Sequence, residues 1–171
     1  YALATFASTD FDASDFAATG LGYAEGVFAI NAGQLTFTLT KTAFEGWAGA
    51  NALPAGQDGP ADDADGDGES NLLEFVLAQN PMAGGARTTQ LTNISSGGEE
   101  YPALRFTRRI IRGDVGVAVR VSTDLNFGSD LGAVEISATP QADGTELVIV
   151  RSAVPYSVAP KQFLRIDVSQ P

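Results

Sequence analysis

The sequence predicts a mainly β fold with one short helical segment near its middle. Apolar and polar residues alternate in several short runs in both terminal parts of the chain, as is typical of half-buried strands. Turn-forming Gly, Asn and Asp residues separate these runs, and this spacing favours antiparallel pairing. We therefore expect an N-terminal β unit at residues 1–41, a helical segment at residues 42–81 and a C-terminal antiparallel β-sandwich at residues 82–171.

The N-terminal unit is expected to contain a β-hairpin. Residues 27–30 and 35–40 are strand-like, and a turn sequence lies between them. Asp10 and Asp12 in the same unit raise the question of a metal site. Neither a turn glycine nor a closing glutamate accompanies them, so a solvated strand edge is the simpler interpretation.

The first helix is predicted at residues 42–52. Thr42 followed by Glu45 is the spacing of a capping box, and apolar residues recur after it at helical intervals. Trp47 in this helix is interpreted as a packing residue, with a sugar-stacking surface as the weaker alternative.

A run of twelve residues, DADGDGESNLLE at positions 63–74, has an oxygen wherever a calcium-binding loop needs one. Gly68 stands at the sixth position, where the chain must turn sharply. The predicted ligands, at positions one, three, five, seven, nine and twelve, are Asp63, Asp65, Asp67, the backbone carbonyl of Glu69, Asn71 directly or through water, and Glu74 with both carboxylate oxygens.

The charge of this loop also favours a bound cation. Four carboxylates around one point repel one another unless a positive ion lies between them. Calcium suits many oxygen ligands, whereas magnesium requires a strict octahedron and retains several waters. The alternative is an acidic loop in which Asp and Gly simply form turns. Glu74 argues against it, because it lies within an apolar segment that is predicted to be helical.

Beyond the loop, the chain is expected to return to β structure. The second helix should cover residues 70–79 and end before Pro81. Residues 82–98 form either a linker or a loosely paired strand with a turn at Gly97 and Gly98. Valines at every second position from 115 to 121 predict one buried strand face. The five predicted strands are residues 104–111, 115–122, 133–139, 145–151 and 162–168.

Composition excludes several classes of function. A net charge of −11 argues against nucleic-acid binding, and no apolar run is long enough to span a bilayer. The chain has no Cys and no His, which removes disulfides, thiol nucleophiles and catalytic triads that use either residue. We therefore expect a protein that is not an enzyme.

The chain begins at Tyr1 rather than Met, which suggests a piece of a longer protein. The sequence does not identify the part that preceded Tyr1.

Several segments resemble the C-terminal region of large secreted, autotransporter-like proteins of Verrucomicrobia and related bacteria. The resemblance lies in FEGWAGANALP, DADGDGESNLLEFVLAQNP, LRFTRR, VAVRVSTDL, GTELVIVR and PKQFLRIDV, and in the N-terminal YALATF, DFAATGL and GVFAINAGQLTFTLT. It implies a β passenger, a calcium loop similar to thrombospondin type 3 and dockerin repeats, and a terminal β-sandwich. It also implies an extracellular or cell-surface location, while no catalytic residue is implied. The metal ligands that it implies are Asp63, Asp65, Asp67, Asn71 and Glu74.

These observations predict a non-enzymatic extracellular module in which calcium fixes how two β units are arranged. The first alternative is a self-assembling subunit of a filament or surface layer that associates through strand edges. The second is a carbohydrate-binding module that uses Tyr101, Tyr156 or Trp47 as a platform.

Overall fold

The computed structural model describes residues 1–7, 10–84 and 88–170, and it confirms a mainly β fold with antiparallel sheets and two short helices. The strands are β1 (Ala2–Thr5), β2 (Glu25–Asn31), β3 (Gln34–Lys41), β4 (Gln90–Ser96), β5 (Glu99–Arg109), β6 (Gly116–Ser122), β7 (Ala133–Pro140), β8 (Thr145–Ser152) and β9 (Phe163–Ser169). The helices are α1 (Ala43–Ala50) and α2 (Asn71–Leu77), and a single 3-10 turn covers Ala13–Asp15.

The N-terminal strands form a three-stranded antiparallel sheet in the order β1-β3-β2. The predicted hairpin is confirmed, and Ala32 and Gly33 at its tip have φ angles of 48° and 75°. Two successive positive φ angles characterise the tight turn whose twist matches that of the strands. Neighbouring phenylalanine rings, with centroids 5.0–5.6 Å apart, pack in a row beside this sheet: Phe6, Phe11, Phe16, Phe28 and Phe37.

The C-terminal part contains a four-stranded sheet in the order β4-β5-β8-β7 and a two-stranded sheet of β6 and β9. All five predicted strands are present. The segment that was either linker or strand contains β4, which pairs with β5 along its whole length across the predicted turn at Gly97 and Gly98. Because β4 supplies this partner, β5 begins at Glu99 rather than at the predicted residue 104.

Both helices are shorter than predicted because their ends are fixed by local hydrogen bonds. Thr42 and Glu45 form the predicted capping box: Glu45 N donates to Thr42 Oγ1 at 3.2 Å, and Thr42 N donates to Glu45 Oε2 at 2.8 Å. At the end of α2, Ala78 adopts a left-handed conformation with φ 57°. The N–H of Gln79 then donates to the carbonyl of Glu74 at 2.9 Å, which terminates the helix before Asn80.

The helices complete the hydrophobic core of the C-terminal sheets. Helix α2 packs against β5 and β9, and α1 packs against α2 and β3. Trp47 is 1% exposed and lies between the rings of Phe44 and Phe75. This confirms its packing role and removes it as a sugar-stacking surface. The buried core residues are Ala43, Phe44, Trp47, Ala48, Leu72, Phe75, Val76, Leu77, Leu104, Phe106, Val115, Val148 and Val150.

Arg109 joins three parts of the fold at the end of β5. Its Nε donates to the carbonyl of Phe75 at 2.7 Å, so it satisfies a carbonyl in the last turn of α2. Its guanidinium lies 5.1 Å from the ring centroid of Tyr23 and 5.6 Å from that of Phe75.

Neither helix among the described residues has the length and apolar character needed to cross a bilayer.

Candidate metal centre

The predicted calcium loop is a closed turn that leads directly into α2. Asn71 N donates to the carbonyl of Asp62 at 2.7 Å, and Leu72 N donates to that of Pro60 at 3.1 Å. Gly68, at the sixth position, has a φ of 92°, a conformation that a residue with a Cβ rarely adopts. The N–H of Gly68 donates to Asp63 Oδ2 at 2.9 Å. The glycine is therefore required where the sequence pattern predicted a sharp turn.

Three aspartates converge within this loop. Carboxylate oxygens of Asp63, Asp65 and Asp67 all lie within 4.8 Å of one another, and the three side chains are half-buried. Backbone N–H groups hold them in place: Asp67 N donates to Asp65 Oδ1 at 3.1 Å, and Glu69 N donates to Asp67 Oδ1 at 2.9 Å. Like charges at this spacing repel by roughly 3 kcal/mol per pair at an effective dielectric constant of about 20. The group can hold a metal ion, which would remove that repulsion.

Glu74 extends this negative charge into the protein core. It is 2% exposed although it is a carboxylate, and its Oε2 is buried without a hydrogen-bond partner among the described residues. Burial, reinforced by the charges of Asp65, Asp67, Asp63 and Glu69, raises the pKa of Glu74 from 4.5 to about 7. Oδ2 of Asp65 is likewise buried and unpartnered. Buried carboxylate oxygens are ordinarily paired, so these two are suited to accept a positive partner.

Asn71, the predicted ligand at position nine, is fully buried and is held by the backbone. Its Nδ2 donates to the carbonyls of Gln57 and Gly59 at 2.8 and 2.9 Å, and its Oδ1 accepts from Ala64 N at 3.3 Å. These bonds connect the start of α2 to the beginning of the loop and to the segment that precedes it. The structure thus gives Asn71 a part in shaping the loop, while its role as a ligand stays a prediction, as does that of the Glu69 carbonyl.

In the described ranges 1–7, 10–84 and 88–170, Asp63, Asp65 and Asp67 are the one group of side chains found to converge closely enough for a metal ion. Asp10 and Asp12 belong to no such group. Asp12 N instead donates to Asp15 Oδ2 at 2.7 Å in the 3-10 turn.

The tyrosines considered for carbohydrate binding already have polar partners. The guanidinium of Arg151 lies 4.0 Å from the ring centroid of Tyr101. The hydroxyl of Tyr156 donates to Asn93 Oδ1 at 3.3 Å. Because Trp47 is buried as well, no observation on the residues that the structure describes favours carbohydrate binding over the other candidate functions.

The raised pKa of Glu74 predicts a pH-dependent stability in chelator. Between about pH 4.5 and 7 the folded chain retains a proton that the unfolded chain has lost, so the free energy of unfolding falls as pH rises, by on the order of 3 kcal/mol. Urea unfolding at a series of pH values measures this change. Glu74→Gln should abolish the slope and be more stable than the unaltered chain in chelator at pH 8. A less stable Glu74→Gln chain under that condition would contradict the prediction.

The buried hydrogen bonds of Asn71 predict a loss of stability that does not depend on calcium. Asn71→Ala leaves the carbonyls of Gln57 and Gly59 and the N–H of Ala64 without this partner, so the free energy of unfolding should fall by about 1–3 kcal/mol in chelator and in calcium alike. Asn126→Ala is the matched control, because Asn126 is exposed, and it should stay within about 0.5 kcal/mol. A loss seen in calcium alone would instead identify Asn71 as a ligand.

Comparison of the chain with protein-family models, with curated proteins and with solved structures gave no match. The fold and the acidic loop themselves define the class of protein. It is a mainly β protein with an acidic turn that can hold a metal ion.

Sequence reasoning missed one polar residue beside this site. Gln79 lies just beyond α2, and its Oε1 is buried without a partner among the described residues. It lines a cavity of about 210 Å³ together with Asp67 and Glu74. The loop pattern ends at Glu74, so no motif points to Gln79. The left-handed turn at Ala78 brings it back beside the loop, and tertiary structure alone reveals this.

Proposed function

We propose that this chain is a non-enzymatic, calcium-binding structural module of a secreted or cell-surface bacterial protein. The observation that carries the proposal is Glu74, a carboxylate buried in the core helix and unpartnered at one oxygen beside three converging aspartates. Such a group costs stability unless a cation compensates its charge. A bound divalent ion turns this cost into a stabilising interaction.

Calcium is the ion that suits this set of ligands. The loop offers the carboxylates of three aspartates and of Glu74, with the backbone carbonyl of Glu69, within a turn of twelve residues, and all of these are hard oxygen ligands. It offers no thiol and no imidazole, so softer transition metals have no preferred ligand here. Calcium accepts six to eight oxygens in variable geometry, whereas magnesium loses its waters reluctantly.

A structural role follows from where the loop leads. The loop runs directly into α2, which contributes Leu72, Phe75, Val76 and Leu77 to the core shared with β5 and β8. Holding Glu74 in place therefore also holds the apolar face of α2 against the sheets. We infer no catalytic role, because the chain has no Cys and no His. Glu74, the carboxylate with the raised pKa, is assigned to the ion in this proposal.

Calorimetric titration of the purified chain tests calcium binding. One calcium per chain is expected, with tighter binding of calcium than of magnesium. Asp65→Asn should weaken binding strongly, because it removes one charge from the converging group. Asp114→Asn makes the same chemical change at an exposed position in the turn before β6 and should leave binding unchanged. Absence of calcium binding by the unaltered chain would overturn the proposal.

The second candidate, a subunit that self-assembles through its strand edges, has one observation in its favour. Strands β4 and β7 are the edges of the four-stranded sheet, and they expose Leu91, Val134 and Ile136. Exposed apolar edges are able to pair with other chains. Electron microscopy of the protein in calcium tests this candidate, and particles of single-chain size alone would count against it.

A further inference from the structure

The cavity beside the metal centre contains two buried oxygens without partners. Glu74 Oε2 and Gln79 Oε1 are both buried, and neither has a hydrogen-bond donor among the described residues. Both residues line the same cavity of about 210 Å³, and Asp67 forms another part of its wall. Two unpartnered acceptors that line one cavity are compatible when a cation, or water bound to one, lies between them.

Without Asn71, the predicted coordination shell is one oxygen short of seven. One oxygen each from Asp63, Asp65, Asp67 and the Glu69 carbonyl, with two from Glu74, gives about six, at the lower end of the six to eight that calcium takes. Position nine normally supplies the next one. Here both ends of the Asn71 amide already make hydrogen bonds to the backbone.

We propose that Gln79 supplies a further oxygen ligand to the cation of this loop, in the place where the sequence pattern expects Asn71. The proposal rests on the proposed calcium site. It assigns a ligand five residues beyond the last position of the loop, brought there by the end of α2. The left-handed turn at Ala78 and the hydrogen bond from Gln79 N to the Glu74 carbonyl place the two residues side by side. A neutral amide oxygen adds a ligand without adding charge to a site whose proposed ligands already include four carboxylates.

Terbium luminescence tests this assignment, because the decay rates in light and heavy water count the water molecules bound directly to the ion. Gln79→Leu has a similar size and no oxygen, so water should take the vacated position. We expect the count to rise by one and the calcium dissociation constant to rise roughly tenfold. Gln79→Asn withdraws the same oxygen by one methylene and should act in the same direction, which covers the case in which the leucine variant fails to fold.

Gln34→Leu is the matched control, since it makes the same change on β3 in the N-terminal sheet. It should leave both the water count and the dissociation constant unchanged. An unaltered chain that binds one calcium, together with Gln79 variants that keep its affinity and water count, would overturn this inference alone. Absence of calcium binding by the unaltered chain would overturn the proposed function and this inference with it.

Discussion

Calcium at one hundred times its dissociation constant should raise the free energy of unfolding by about 2.7 kcal/mol. The proposed site exists only in the folded loop, in which Asp63, Asp65 and Asp67 converge, because an unfolded chain does not hold these carboxylates together. Small domains are stable by roughly 5–15 kcal/mol, so this gain is a large fraction of the total. Urea unfolding and thermal melting, each in calcium and in chelator, measure it.

The matched variants make this expectation specific to the loop. Asp65→Asn should lose most of the calcium-dependent gain, because it removes one charge from the converging group. Asp114→Asn should keep the gain in full, since its side chain is exposed and outside the loop. A melting midpoint that is the same in calcium and in chelator for the unaltered chain would contradict a stabilising role for the ion.

Phe75→Ala should lower the free energy of unfolding by about 3–5 kcal/mol. Phe75 has no exposed surface, and its ring packs against Phe44 and Trp47 with centroids 6.0 and 5.5 Å away. It also lies under the guanidinium of Arg109, which donates a hydrogen bond to its carbonyl. Alanine would leave a cavity where α1 packs against α2. Denaturant unfolding of the variant in saturating calcium measures the loss.

Leu91→Ala provides the comparison for this change. Leu91 is 69% exposed on edge strand β4, so removing its side chain should cost less than about 0.5 kcal/mol. Similar losses from the two variants would show that the junction of the helices is not the centre of the core. A large loss from Phe75→Ala alone supports a core in which α2, the helix that contains Glu74, is a structural member.

Local patterns in the sequence were sufficient for most elements of the fold. The alternating valines before Ser122 predicted β6, and the pair of Gly97 and Gly98 predicted the turn between β4 and β5. These predictions succeed because strand alternation and turn chemistry act between near neighbours. The start of β5 was predicted too late, because its first residues are held by β4, whose own pattern was too weak to identify a partner.

For the metal centre, the sequence by itself determined that three aspartates, a turn glycine and Glu74 have the spacing of a cation loop, since that spacing is local. Tertiary structure decided the rest. It committed Asn71 to backbone hydrogen bonds and brought Gln79 beside Glu74. It also buried Glu74 in a core shared with the C-terminal sheets. The physical reason is that burial and hydrogen-bond pairing depend on distant segments, which no spacing along the chain records.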